Sequence, residues 1–370
     1  MKFNAYVMKK VLLVYHALSS GEFSYAGMEK MLIWLGNSLA EKGHDVTFCT
    51  LFDNERCSKY TDRVKSIELG LNYYDSFTKR NFTTFILGVF KLQKVLTQGY
   101  DYVINFGDTT FFLVFLLRRF NNYKLISSER GDPYNCASFL EKLRRRLITY
   151  SDVIVFQTIG ARDFFSKRIK NKSVIIANPI KVPANIVWLQ ENTERRIAFV
   201  GRIDFWQKRL DVLINAFLLV HKKYPEYVLD VCGSGSEIWK FKELIKKNEI
   251  DAFVVLHGAV GDVYKVLLNA EMFVLTSDFE GIPNALLEAM SIGMPVISTD
   301  CSPGGAALLI GNDENGLLVN RGDFEGVSDA IIKLIENKNY ACEKGRNARM
   351  SMSRFTPETI IGEWNRILDC

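Results

Sequence analysis

The chain has 370 residues, 48% of them hydrophobic and 24% charged, with 47 Lys and Arg against 42 Asp and Glu. That composition is ample for the cores of about two domains, and it excludes a disordered or low-complexity chain. Charge divides unevenly, +11 over residues 1–185 and −6 over the rest, so the first half suits an anionic partner, while nucleic acid is not indicated because no motif of a nucleic-acid binder accompanies the charge.

The seven cysteines are scattered and form no Cys-x-x-Cys pair. They read as reduced thiols of a cytoplasmic protein, with neither a disulfide frame nor a metal site. The apolar run at 11–16 is too short for a signal peptide and reads as a buried strand. The run at 111–117 stops at Arg118-Arg119, far short of the ~20 residues that span a bilayer, so no transmembrane segment is expected.

In chain order, a strand at 11–15 is followed by a loop of small and polar residues, a helix at 28–42 stopped by Gly43, and a strand at 46–51. This is a βαβ unit with a parallel sheet. Further strands are expected at 101–106, 124–128, 153–157 and 174–177. The first two end in the polar runs 105–108 and 128–132, which are candidate site walls because ligands bind outside the carboxyl ends of such strands. Asn178-Pro179 and the residues to Pro183 break the pattern and read as a linker.

A second series follows: strands at 196–200, 228–232, 254–257, 272–275 and 295–299, with helices at 209–223, 238–248, 263–269 and 283–293. Residues 357–368 close the pattern as an amphipathic helix. The fold class is therefore α/β, two Rossmann-like doubly wound parallel-sheet domains facing across a cleft, with units at 1–180 and 184–354 and the last segment, 355–370, returning to the first.

The most informative stretch is TSDFEGIPNALLEAMSIG at 276–293. Pro283 suits the first helical position, where its missing N–H costs nothing. The N–H groups of Asn284, Ala285 and Leu286 are then left at a helix start whose macrodipole favours an anion. Glu280 stands before this helix and Glu288 within it, placed to reach different parts of one elongated anionic ligand. Gly201 and Arg202 end the first strand of the second series and Lys208 follows near the next helix. Arg and Lys together can neutralise a diphosphate.

GRIDFWQKRLDVLINAF, CGSGSE, HGAV, TSDFEGIPNALLEAMSIGMPVISTD and NGLLV, in this order, resemble the donor-binding half of the retaining family 4 glycosyltransferases of GT-B fold, enzymes of bacterial cell-surface polysaccharide synthesis. YAGMEKML, ISSERGDP and SRFTPETIIGEWNRIL extend the resemblance to the first half and the tail. The resemblance implies that Arg202 and Lys208 bind the diphosphate of a nucleotide sugar and stabilise it as leaving group. It further implies that Glu288 takes the ribose hydroxyls, and that Glu280 contacts the sugar with help from main-chain N–H groups of Gly281, Ile282, Pro283's neighbour Asn284, Ala285 and Leu286. His257, Gly258, Ala259 and Val260 would hold the base, and Gly27 would let the first domain approach the phosphates.

On the acceptor side the family often carries a His after the fifth strand, where this chain has Glu129-Arg130-Gly131-Asp132. Arg130 and Asp132 are the catalytic candidates there, Arg130 acting electrostatically, with His16, Glu29, Asp108 and Glu129 around the acceptor. No metal is expected, since Arg and Lys supply the positive charge a divalent ion would bring. The implied activity is transfer of a hexose or N-acetylhexosamine from a nucleotide-diphosphate sugar, UDP favoured, to a hydroxyl of a lipid-linked glycan. A GDP-mannose-dependent mannosyltransferase and a UDP-sugar 2-epimerase are the alternatives. Basic residues flank aromatic ones at 78–96, and Arg144-Arg145-Arg146 follows. Both suit a peripheral contact with the inner face of the membrane, against the plainer reading of helices packed on the sheet.

Overall fold

The computed structural model describes residues 7–16, 27–52, 63–71, 82–135, 139–311 and 313–369. The basic residues Lys79 and Arg80 of the 78–96 stretch lie outside them, as does the side chain of Asp108.

Two parallel sheets form the molecule. The first contains β1 Lys10–Tyr15, β2 Asp45–Phe52, β3 Lys65–Leu71, β4 Tyr102–Phe106, β5 Lys124–Glu129, β6 Val153–Phe156 and β7 Ser173–Ile175, in the order 3-2-1-4-5-6-7. The second contains β8 Glu194–Val200, β9 Val228–Cys232, β10 Val254–Gly258, β11 Ala270–Leu275, β12 Val296–Thr299 and β13 Leu317–Val319, in the order 10-9-8-11-12-13. In each sheet the order reverses beside the first strand, and a crevice opens there at the carboxyl ends. Strands β3 and β13 are additions to the expected series.

The strands are near-continuous apolar runs because both faces of a parallel sheet are covered. In β1, Val11, Leu13 and Tyr15 join one hydrophobic cluster and Leu12 and Val14 the other. The second face packs α2 Phe82–Leu96 and α3 Asp108–Leu117, through Leu92, Val95, Phe111 and Val114. The first face packs α1 Gly27–Glu41 and continues without a break into the core of the second domain.

A later helix, Pro357–Leu368, crosses back onto the first sheet. Its Trp364 is fully buried and stacks on Phe106 at 6.2 Å. The hydroxyl of Tyr102 donates to the carbonyl of Leu368 at 2.9 Å. His44, which follows the helix-ending Gly43, is only 5% exposed. Burial lowers its pKa, with Asn365 and Asp369 of the crossing segment opposing the effect. Among the described residues, no helix is long and apolar enough to cross a membrane.

Candidate active site

β11 ends at Leu275 and the chain then loops from Thr276 to a helix, Asn284–Ile292, closed by Gly293 in the left-handed region at φ 87°. Pro283 is the residue before this helix, with extended ψ of 103°, and not its first turn as expected. The N–H of Leu286 turns back to the Pro283 carbonyl at 3.1 Å. The expected row of donors is therefore shortened at that end.

Lys208 and Glu280 meet at the carboxyl ends of β8 and β11. The Lys208 ammonium pairs with Oε1 of Glu280, and both side chains are only 11% exposed. Ser277 Oγ donates to the same oxygen at 2.9 Å, and Gln207 Nε2 reaches Oε2 at 3.3 Å. Gln207 also accepts from Arg202 Nη2 at 2.9 Å, so Arg202, Gln207, Glu280 and Lys208 form one network. The loop is fixed from below: Glu280 N–H donates to the Ser302 carbonyl at 2.7 Å and Asp278 N–H to that of Gln207 at 2.9 Å. A half-buried ammonium held by a carboxylate at a helix start is a preorganised site for an anion that can displace or share that partner.

Glycines let the backbones close up beside this network. A Cβ at Gly201 would stand 3.2 Å from the Lys208 side chain, and one at Gly233, whose φ is +147°, would stand 1.8 Å from the Gly201 carbonyl oxygen. Gly233 N–H donates to the Gly258 carbonyl at 2.7 Å, tying the ends of β8, β9 and β10 together. The His257 ring is engaged by the buried Asp230, with Nε2 2.7 Å from its Oδ1.

The first domain meets this loop directly. A Cβ at Gly281 would lie 2.4 Å from the Arg130 carbonyl oxygen and 2.2 Å from Gln157 Oε1. One at Gly27 would lie 2.6 Å from Asn284 Nδ2. On the far side Thr158 Oγ1 donates to the Pro303 carbonyl at 2.9 Å. The domains are closed on each other at these points. Between Gly27, Lys30, Asn178, Asn284, Leu287 and Glu288 remains a cavity of about 170 Å³, below the roughly 300–1,000 Å³ of ordinary ligand pockets. That cavity is too small for a nucleotide-sized ligand.

Glu288 faces Lys30 of the first domain at 3.9 Å across this cavity. Burial raises its pKa and Lys30 partly offsets that. Arg130 is a buried cation near the cleft. Its Nε donates to Ser128 Oγ at 2.7 Å and its Nη1 to Asn178 Oδ1 at 2.9 Å. Its guanidinium lies over the rings of Phe106 at 5.0 Å and Trp364 at 5.9 Å, and Nη2 has no partner among the described residues. With only neutral partners, burial pushes Arg130 down to about 9. Such a charge makes a fixed positive potential behind the cleft.

The remaining acceptor-side expectations fare unevenly. Glu129 is not turned to the cleft: its Oε2 takes Arg144 Nη2 at 2.6 Å in a buried ion pair. Arg145 is buried too, bonded to the Pro133 carbonyl and to Glu141. Of the three arginines expected to face a membrane, only Arg146 points outward. They are interior because the loop 129–134 offers them a carboxylate and carbonyls. Asp132 starts a turn, with Oδ1 accepting from Tyr134 N–H at 2.9 Å. Glu29 is 5% exposed and adds to the burial that raises the Tyr15 pKa. His16 ends β1 with its pKa lowered by burial and its ring 4.2 Å from that of Tyr15.

A second, larger cavity of about 760 Å³ opens between the domains on the other side of the Glu280 loop, bounded by Asp132 and Tyr134 across from Trp206 and Phe279. Gln207, Ser277, Asn178 and Gly233 all belong to the site, and sequence reading passed over them. Gln207, Ser277 and Gly233 lie within quoted motifs without being singled out, and Asn178 reads only as part of the linker. Among the described residues, no group of acidic, His or Cys side chains could hold a metal ion.

Comparison with known proteins places these features. Residues 186–351 match the family model described as "Glycosyl transferases group 1". The chain is 30% identical over 351 residues to the N-acetyl-alpha-D-glucosaminyl L-malate synthase of Bacillus anthracis, covering 90% of this chain and 91% of that one. It is 24% identical to a Campylobacter jejuni alpha-1,4-N-acetyl-D-galactosaminyltransferase named for an undecaprenol-linked acceptor, covering 98% of each. Among solved structures, Staphylococcus aureus TarM in complex with UDP, fondaparinux and alpha-GlcNAc-glycerol superposes with a TM-score of 0.81 at 16% identity, covering 98% of this chain and 100% of that one.

Proposed function

The chain belongs to the group 1 glycosyl transferases, and on that premise we propose that it is a retaining enzyme using a UDP-sugar and a lipid-linked glycan acceptor. The observation that carries this reading is the sequestered Lys208–Glu280 pair beside Arg202, at a helix start that faces the first domain. Residues 184–354 hold the donor, and residues 1–180, completed by 355–370, face the acceptor.

The diphosphate lies against Lys208, Arg202 and the helix opening, with Glu288 on the ribose and the glycine-lined ends of β8–β10 under the base. Glu280 fixes a hydroxyl of the sugar and, by holding Lys208, aims the ammonium. In the reaction the bond from the anomeric carbon to the diphosphate oxygen breaks and a bond to the acceptor oxygen forms. The acceptor proton leaves towards the departing diphosphate. Charge that develops on that oxygen is met by Lys208 and Arg202, the usual electrostatic route to rate enhancement. Arg130 adds a fixed positive field from behind the cleft. Domain closure, already near complete at Gly281 and Gly27, excludes water that would hydrolyse the donor.

Support for UDP comes from the TarM complex, which contains it. The α linkage named for that complex and for the Campylobacter relative supports retention, since UDP-hexosamine donors are themselves α-linked. A membrane contact is supported by α2, which exposes Phe85, Ile86, Leu87 and Phe90 beside Lys91 and Lys94.

Thermal-shift measurements with UDP-, GDP- and ADP-sugars test the donor. UDP compounds should stabilise the protein by about 2.7 kcal/mol at a hundredfold excess over Kd. Stabilisation by GDP-sugars alone would point to the mannosyl alternative, and stabilisation by none would sink the reading.

A further inference from the structure

We propose that the 760 Å³ interdomain cavity beyond the Glu280 loop is a binding groove for the neutral sugar residues of the acceptor glycan. This rests on the glycosyltransferase reading and adds where the acceptor's sugars lie and what chemistry selects them. Its volume falls inside the roughly 300–1,000 Å³ range of built ligand sites, and both domains contribute walls.

The lining has the chemistry that neutral saccharides require. Sugar rings present C–H faces to aromatic surfaces and paired hydroxyls to planar polar groups. Trp206 is 63% exposed and packs at 4.4 Å, edge to face, on Phe279. Across the cleft Tyr134 is 59% exposed and its ring is held edge-on by Phe164 at 5.0 Å. Amides come from Asn135 and Asn320, and carboxylates from Asp132, Asp278 and Asp300. These walls are rigid. Arg145 braces the 132–133 turn through its carbonyls, and Arg209, in the left-handed region at φ 49°, reaches across to Asp278 at 2.8 Å.

Charge separates this cavity from the donor site. Three aspartates face two arginines here, and Arg209 is already engaged by both Asp211 and Asp278. An anionic ligand would gain little from it, whereas the donor side presents Lys208 and Arg202. The two sites share one thin wall. Asp278 and Phe279 directly precede Glu280, and Ser302, which also lines the cavity, accepts the Glu280 N–H at 2.7 Å. A glycan in the groove therefore ends beside the group that holds the donor sugar.

The test uses the full chain, with and without UDP, on an array of neutral, sulfated and phosphorylated oligosaccharides, together with Trp206→Ala and Asn135→Ala. Trp206 is exposed, so its truncation leaves the fold intact, and the thermal shift by UDP reports this for both variants. The expected result is retention of a subset of neutral glycans by the wild type, reduced at least tenfold in both variants while the UDP shift persists. Equal glycan binding by wild type and variants overturns the proposal. So does preference for sulfated or phosphorylated glycans, or a wild type that responds to UDP yet retains no neutral glycan. Glycan binding lost in the variants of a protein that no nucleotide stabilises would instead overturn the donor reading and leave the groove standing.

Discussion

Asn178 and Asn284 join the two domains through their side chains, Nδ2 of the first donating to Oδ1 of the second at 2.8 Å. The same Asn178 accepts from the buried Arg130. One amide thus connects a cation of the first domain, the linker, and the helix start proposed to face the donor. Asn178→Ala leaves Arg130 with one hydrogen-bonded partner fewer in a buried setting, which costs about 1–3 kcal/mol. The expected outcome is a lower Tm together with a lower kcat, read by calorimetry and by turnover of UDP-sugar. Unchanged stability would show that the guanidinium finds other partners.

Lys208→Ala removes the charge that the proposed reaction sets against the leaving diphosphate. A loss of about 10²–10³ in kcat is expected, as for a single donor aimed at developing charge. Glu280→Gln keeps the shape and weakens both the hold on Lys208 and the contact to the sugar. It should reduce transfer more than it reduces binding of UDP, which lacks the sugar. Isothermal titration with UDP alongside product assays separates the two effects.

Glu288 gives the enzyme a pH signature. Burial holds its carboxyl above the ordinary 4.5, and only the ionised form accepts from two ribose hydroxyls. Affinity for UDP should fall as pH drops through the raised value, at most about tenfold per unit. The sign for the free protein is opposite. A carboxylate whose folded pKa is raised favours folding when protonated, so its contribution to stability declines as pH rises from 4.5 through that value. Glu288→Gln should flatten both slopes and weaken UDP at pH 7.

Gly281→Ala places a methyl group 2.2–2.4 Å from Gln157 and the Arg130 carbonyl, closer than real contacts allow. The domains cannot then close. The variant should bind UDP through the second domain, turn over slowly, and show a larger radius of gyration by small-angle scattering. Normal turnover would mean that closure at this point is not part of the cycle.

Phe85 and Phe90 are 40% and 69% exposed on α2. Replacing both with Ser should reduce co-sedimentation with anionic vesicles by about tenfold or more, given the 1.5–3 kcal/mol that burying one such side chain contributes. Equal loss on neutral vesicles would separate apolar insertion from attraction by Lys94 and its neighbours.

Much of this was legible in the sequence because it is local. Apolar runs bounded by Gly and Pro gave both sheets, and the spacing of Glu280, Pro283 and Glu288 gave the helix start and its two carboxylates. What escaped is pairing between residues far apart in the chain. Glu129 looks like an acceptor-side acid until Arg144 is seen to occupy it. His44 looks exposed after a helix-ending glycine until a helix more than three hundred residues later covers it. Asn178 looks like one residue of a linker, and its value comes entirely from Arg130 and Asn284. Strand β13 is only three residues long, too short for any periodic signal.

The helix that lays Trp364 on Phe106 also sets a timetable. Tyr102 waits 266 residues for its partner Leu368, which at 5–20 residues per second of synthesis is roughly 13–53 s. Throughout that interval the nascent first domain presents an uncovered apolar strip at Phe106 and an uncapped Arg130. The second domain emerges and can close its own core meanwhile. A ribosome-bound chain of this protein is thus a natural client for chaperones at one defined place, and that place seals only when residues 357–368 arrive.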